Sequence, residues 1–455
     1  MTDPSEPPQP RSTATADGPA GDPARAPQPP VVTVPMATPG AAALDVPAPT
    51  TQPHTAWRAL YHRNYRLFFS GQLVSLIGTW MQTVAQSWLV YRLTGSELLL
   101  GSVGFTSQIP VLLFATVGGA VADRVSRRRI LVTTQTMAMC LAFVLAGLTL
   151  SGTVQVWHVF VLAGSLGLTN AFDIPARQAF AVELVGRADL QNAIALNSSV
   201  FNGARMVGPA IAGVLLSLVG EGWCFFANAV SYLAVIAGLL AMRIEPRPPR
   251  SGRGRLLGDM AEGFAFVWAT PPVRTVLTLL AMASLMGMPY VVLMPVFAAD
   301  VLHSDGRGLG LLMSCAGVGA LGAALTLAFR QEVRGLERWV GRASAGFGLA
   351  LIAFAGSRWF PLSGLLLVGV GYAMMIQMAS SNTLVQHMVP DHLRGRVMAV
   401  YSMMFMGMAP FGALLSGTLA ERIGAPVTVA LGGAVCIAGS LALRRRLRAV
   451  RAALG

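Results

Sequence analysis

The sequence predicts an all-α membrane protein, with twelve transmembrane helices in two pseudo-symmetric six-helix halves. Three observations predict it. Of 455 residues, 54% are hydrophobic and only 12% are charged. That is about half the charge of an ordinary soluble domain, so much of the surface must face lipid. Twelve apolar stretches follow one another, each near the ~20 residues that cross a bilayer as a helix. Finally, a shift of 204 positions aligns Ser198 with Ser402, Phe201 with Phe405, Gly203 with Gly407, Gly208 with Gly412 and Gly213 with Gly417. Matches in one register, at the spacing between the halves, mark an internal repeat.

Residues 1–56 are rich in Pro, Ala, Thr and Gly and hold no apolar run of the signal-peptide type. They cannot bury enough surface to fold alone and are read as a disordered cytoplasmic tail. The first half, 57–242, carries spans near 65–91, 99–122, 130–151, 155–182, 190–219 and 222–242. The second half, 273–446, carries spans near 273–300, 308–329, 336–356, 360–386, 393–420 and 426–445. No water reaches the backbone inside lipid, so each span must satisfy its own N–H and C=O groups as a helix. The linker 243–272 opens rich in Pro and Arg. It continues with apolar residues at helical spacing over Leu256–Trp268, the pattern of an amphipathic helix on the membrane surface. Residues 447–455 form a basic cytoplasmic tail.

All 33 basic residues are arginine, and the net charge is +13. A nucleic-acid partner is not expected, because the arginines sit in short loops beside apolar spans rather than on one soluble face. Lacking lysine, the chain has neither a P-loop lysine for ATP nor a Schiff-base lysine. The even number of spans puts both termini on one side. There lie Arg58, Arg63, Arg66, Arg124 to Arg129, Arg187, Arg243 to Arg255, Arg330 to Arg342, Arg394, Arg396 and Arg444 to Arg451. The other side has only Arg92, Arg307, Arg358 and Arg422, beside several acids. The bias predicts cytoplasmic termini in a plasma (inner) membrane. The cysteines, Cys140, Cys224, Cys315 and Cys436, stand apart in apolar segments and read as core residues. With no metal-ligand spacing, clustered nucleophile or paired acids at depth, neither an enzyme nor a metal or other cofactor is expected.

Several polar constellations break the apolar pattern. In the first span, Gln72, Ser75, Thr79, Gln82 and Gln86 recur at intervals of 3 and 4, which is one helix face. Lipid would penalise them, so they are read as the wall of a wet substrate cavity, with bonding to neighbouring helices as the alternative. The fourth span carries Asn170, Asp173 and Arg177 on one face, with Asp173 and Arg177 spaced to pair as a structural link or a coupling site. In the fifth span lie Asn202 and Arg205, with Gly203, Gly208, Pro209 and Gly213 placed for close helix packing and a kink. Arg205 counts to mid-membrane and should face the interior. A methionine-rich second half, with Tyr290, Tyr372, Gln377, Asn382 and Tyr401, fits a pocket for a large, mostly apolar ligand, although core or lipid-facing roles also account for single methionines.

Gly119-x3-Asp123-Arg124-x2-Arg127-Arg128-Arg129 resembles the loop 2–3 motif of the major facilitator superfamily, with Ser126 where glycine is usual. Gly203 through Gly213 is similar to the span-five motif of drug:proton antiporters. Asp173-Ile-Pro-Ala-Arg-Gln-Ala-Phe, Asn192-Ala-Ile-Ala-Leu-Asn and Val389-Pro-Asp-His-Leu-Arg-Gly-Arg-Val resemble the enterobactin-exporter-like branch. The resemblance, over about residues 57–445, implies a secondary active exporter of amphipathic small molecules: siderophores, secondary metabolites or drugs. It implies alternating access and proton antiport, with lipid, cargo and protons as partners. It also implies that Asp123 contacts the start of helix eleven, near Asp391–Arg394, as a gate helped by Arg124 and Arg127 to Arg129. Asp173 is the first candidate for the proton site and Glu183 the second. An uncoupled facilitator, an importer and a non-transporting scaffold or sensor remain alternatives. The oligomeric state is not fixed by the sequence, and a monomer is compatible with it.

Overall fold

Helix starts and stops in the structure follow local chemistry. Ser96 caps the second span by accepting from the Leu99 N–H at 3.3 Å. Asp305 caps the eighth span by accepting from the N–H groups of Arg307 and Gly308 at 3.0 and 3.1 Å. The first span ends at Gly95, whose φ of 61° is left-handed and whose N–H reaches the Tyr91 carbonyl. The computed structural model describes residues 58–186, 189–243, 256–329 and 335–443. The tails 1–56 and 447–455, most of the Arg-rich linker and the loop around 330–334 lie outside the described residues.

The first half comprises α1 (Arg63–Thr94), α2 (Glu97–Arg124), α3 (Arg127–Leu150), α4 (Val156–Val185), α5 (Leu190–Leu218) and α6 (Glu221–Ala241). The amphipathic segment forms α7 (Leu256–Ala269). In the second half are α8 (Pro271–Met282), the short α9 (Met294–Val296), α10 (Gly306–Ala328), α11 (Leu336–Gly356), α12 (Phe360–Met388), α13 (Asp391–Met406), α14 (Ala409–Ile423) and α15 (Ala425–Ala442). Among the described residues, eleven membrane spans are long and apolar enough to cross a bilayer. The twelfth, α1, is 32 residues long, but its polar stripe dilutes its hydropathy.

Two spans are broken. The seventh runs from α8 through a π-turn at Ala283–Gly287, a 3-10 turn at Met288–Val291, α9 and a second π-turn at Phe297–Val301. Pro289 and Pro295 have no N–H to continue the α ladder. The eleventh breaks at Gly407–Met408, just before Pro410, into α13 and α14.

The halves meet along α2 with α14 and α5 with α10. Glycine makes these contacts possible. A Cβ on Gly101 would lie 2.4 Å from the Ala413 carbonyl oxygen, and one on Gly310 would lie 2.4 Å from that of Pro209. Near these contacts the Tyr91 hydroxyl donates to Asp300. The Ser96 hydroxyl and Leu98 N–H both donate to Glu421, at 3.0 and 3.1 Å. All of this lies at the arginine-poor face. Toward the arginine-rich face the halves part. Leu113 and Val117 of α2 are 60% and 49% exposed. A Cβ added at Gly119, Gly203 or Gly395 would meet nothing within 4 Å.

Candidate functional site

Asp173 is a heavily bonded side chain among the described residues of the interior. It is 1% exposed, and its Oδ1 accepts from Thr134 Oγ1 and Gln135 Nε2, each at 2.8 Å. Its Oδ2 accepts from Arg177, one turn along α4, and Arg177 also donates to Gln72 Oε1 at 2.8 Å. Three helices, α1, α3 and α4, are thereby tied through one buried carboxylate. The i,i+4 spacing revealed the pair. It could not reveal Thr134 and Gln135, whose approach depends on how α3 packs against α4.

The polar stripe of α1 is divided between tasks. Gln72 bonds to Arg177, and Gln82 accepts from Asn228 Nδ2 of α6 at 2.6 Å. Gln72, Ser75 and Gln82 are buried. The assignment of Gln72 and Gln82 to the cavity wall is therefore corrected to interhelical bonding inside the first half. Thr79 donates back to the Ser75 carbonyl, and Gln86 is half-buried. In the second half, Gln377 donates to the Leu279 carbonyl at 3.2 Å and Tyr401 to that of Met378 at 2.9 Å. Both are buried and serve as ties between spans rather than as cavity lining. Tyr372 reaches Thr326 of α10, Gln386 donates to Asn382, and Asn170 is half-buried on α4.

At the arginine-rich end, Arg127 donates to Glu183 and to the Ala179 carbonyl of α4, both at 3.3 Å. Arg128 donates to the Leu240 carbonyl of α6 at 2.8 Å. Glu183, the second candidate for a proton site, is thus the anchor of the loop. Asp123 is exposed, and among the described residues its one ion pair is with Arg127, at 4.0 Å. Arg124 and Arg129 are exposed. The contact implied between Asp123 and Asp391–Arg394 is not made in this conformation, because the halves are closed at the opposite face. Asp391 pairs instead with Arg394 of its own helix.

On α5, Gly208 and Gly213 lie close against neighbouring helices. A Cβ on Gly208 would lie 2.6 Å from Trp80 Cβ, and one on Gly213 would lie 2.9 Å from the Arg307 carbonyl oxygen. Pro209 sits inside the helix without ending it. Gly203 is corrected from a packing residue to an open one, since it lies where the halves have parted. Asn202 is buried and donates to the Ser198 carbonyl. Arg205 stands apart from the Asp173–Arg177 pair. Its guanidinium lies 5.7 Å from the centre of the Trp80 ring and 3.9 Å from Met374 Sδ of α12. Among the described residues no group of His, Cys, Asp and Glu is placed to hold a metal.

Comparison with known proteins joins this geometry to a family. The family described as transmembrane secretion effector matches residues 54–454. The staphyloferrin A transporter of Staphylococcus aureus is 27% identical over 377 residues, covering 82% of this chain and 94% of the relative. The multidrug efflux pump Tap of Mycolicibacterium fortuitum is 29% identical, covering 80% and 90%. The enterobactin exporter EntS of Citrobacter koseri is 26% identical, covering 79% and 85%. Among solved structures, a mutant of the nucleoside transporter NupG superposes with a TM-score of 0.69 at 15% identity, over 84% of this chain and 99% of that one. A bacterial homologue of the lysosomal transporter Spinster, inward-facing and unoccupied, superposes with a TM-score of 0.62 at 15% identity, over 87% and 94%. At these identities the structures speak for the fold alone.

Proposed function

Because the chain belongs to the transmembrane secretion effector family, an exporter-like branch of the major facilitator superfamily, we propose that it is a proton-coupled exporter. It moves amphipathic small molecules, siderophores or drugs among them, across the plasma membrane by alternating access. The observation that carries this reading is the join between the halves, sealed by glycine contacts at the arginine-poor face and parted at the other. That is one end state of a rocking transporter. The arginine bias supports placing the parted face in the cytoplasm, with both termini. This state would then be the one that loads cargo from inside. Reversal would part α2 from α14 and α5 from α10, and would bring Asp123 toward the N-terminus of α13, where the helix dipole favours a carboxylate.

Coupling by Asp173 demands that a proton compete with Arg177 for Oδ2, on a carboxylate whose Oδ1 is held by Thr134 and Gln135. The rocking motion would have to strain that knot. The same knot favours a second reading, an uncoupled facilitator in which Asp173 only joins helices.

The test is proton flux in reconstituted vesicles, wild type against Asp173→Asn, across a panel of amphipathic compounds. Cargo-dependent proton movement lost in the variant supports antiport through Asp173. Undiminished flux moves the search to Glu183 or Asp123. Cargo movement with no proton movement removes the antiporter and leaves the facilitator.

A further inference from the structure

We propose that Arg205 is the recognition site for an anionic group, of the carboxylate class, on the transported molecule. This rests on the exporter reading above and names the chemistry of its cargo. Arg205 lies 15 residues from one end of α5 and 13 from the other, so about 20 Å of helix separates it from either end. Several arginines that meet other helices have carboxylates, whereas Arg63 and Arg128, nearer the helix ends, reach main-chain carbonyls of α6. Arg177 has Asp173, Arg92 has Glu221 at 2.7 Å, Arg127 has Glu183 at 3.3 Å, and Arg58 has Asp189 at 3.0 Å. Among the described residues Arg205 has none. It has the Trp80 face, the Met374 thioether and the Tyr290 hydroxyl beside it, which soften a half-buried cation without neutralising it.

Its position is that of a binding group. Gly317 of α10 backs onto the main chain at Arg205 and Met206, where a Cβ would come within 2.9 Å. Only a few residues toward the arginine-rich face, a Cβ on Gly203 would meet nothing within 4 Å, and one on Gly322 would meet only the edge of Tyr372, at 3.9 Å. Arg205 therefore sits where the contact between the halves ends and the parted region begins. Around it stand α1 with Trp80, α12 with Met374 and the broken seventh span with Tyr290.

A second observation points to the same ligand. The Tyr290 hydroxyl is buried, the residue being 2% exposed, and among the described residues its proton has no acceptor, since the group beside it is the Arg205 guanidinium, which can only donate. The charge it faces is Arg205. A carboxylate between them would satisfy both. Buried donors without acceptors are costly, and a ligand that supplies the acceptor is favoured by that cost. Trp80 and Phe201, edge to face with centres 5.7 Å apart, and Met374 offer apolar contact to the rest of an amphipathic anion. While the halves are parted, cavity water can hydrate the guanidinium. On closure that water leaves, and a bound anion would keep the charge compensated as the site changes sides.

The test is equilibrium binding by calorimetry to the purified full chain in detergent. The probes share one ring system: pyrenebutyrate, its methyl ester and pyrenemethylamine. Wild type is expected to bind the carboxylate at least ~30-fold more tightly than the ester, which corresponds to about 2 kcal/mol. Arg205→Gln should remove that preference while ester binding persists, which also shows that the variant is folded. Arg205→Lys should keep part of it, and Tyr290→Phe should weaken the carboxylate alone. Equal binding of carboxylate and ester by wild type, or an undiminished preference in Arg205→Gln, overturns the inference. If Arg205→Gln fails to fold, the wild-type ratio and the Arg205→Lys ratio decide it. A protein that moves cationic compounds in vesicles yet shows no carboxylate preference is still an exporter, and only the assignment to Arg205 falls. Failure to move any compound removes the exporter reading separately.

Discussion

Gly310→Ala is the single methyl group that bears most directly on the rocking motion. A Cβ at this position would lie 2.4 Å from the Pro209 carbonyl oxygen, 2.6 Å from Gly213 Cα and 2.7 Å from Gly213 N. Favourable carbon contacts begin near ~3.5 Å, so α5 and α10 must separate by about 1 Å. The obstacles are main-chain atoms, so no side-chain rotation relieves the clash. Overpacking of this kind costs about 1–3 kcal/mol. The cost falls only on the state in which these helices touch. The equilibrium should therefore move by about 5–150-fold toward the state parted at the arginine-poor face. Pulsed electron resonance between spin labels at positions 98 and 423 would read that face, with Cys140, Cys224, Cys315 and Cys436 replaced by alanine. Wild type should show one short distance, and Gly310→Ala a growing long one. Labels at positions 125 and 395 should report the opposite change. Gly203→Ala, whose methyl group meets nothing within 4 Å, should behave as wild type. A folded Gly310→Ala protein with unchanged distances at both faces would refute the reasoning.

Other expectations concern the joints within each half. Asp173→Ala strands Arg177 and should cost about 3–5 kcal/mol, read as a lowered Tm in detergent, while Asp173→Ala with Arg177→Ala should recover part of it. Gln82→Leu removes the acceptor of Asn228 Nδ2 and should cost about 1–3 kcal/mol in the same assay. Glu262→Ala breaks the pair between α7 and Arg396 at 2.6 Å. Both groups there are solvated, so Tm should change by less than the equivalent of ~1 kcal/mol.

The spans were legible because lipid imposes a simple rule on the sequence, and the observed helices begin and end close to where apolarity does. The breaks at Pro289, Pro295 and Gly407 were less legible. Proline also lies inside α2, α4 and α5, where those helices continue, so whether a helix splits depends on its neighbours. The Asp173–Arg177 pair could be read from spacing within one helix. The partners Thr134, Gln135 and Asn228 could not, because they approach from other helices. For the same reason periodicity identified the polar stripe of α1 but not its use. Cavity and neighbouring helix are both polar surroundings, and only the packing of α4 and α6 distinguishes them. Glu337 escaped notice because a single acid beside Arg338 looks like an ordinary loop residue. In the structure it is 3% exposed, with Arg338 Nε 3.8 Å away, and among the described residues neither carboxylate oxygen has a hydrogen-bond partner.

The measurement closest to the central claim is uphill transport. Oriented vesicles carrying a pH gradient, acid on the arginine-poor side, would be loaded with a fluorescent amphiphile at equal concentration on both sides. Alternating-access antiport predicts that the amphiphile accumulates on the acid side, with protons moving the other way, and that collapsing the gradient releases it. An amphiphile that stays at equal concentration, with or without the gradient, would contradict coupled export by this protein.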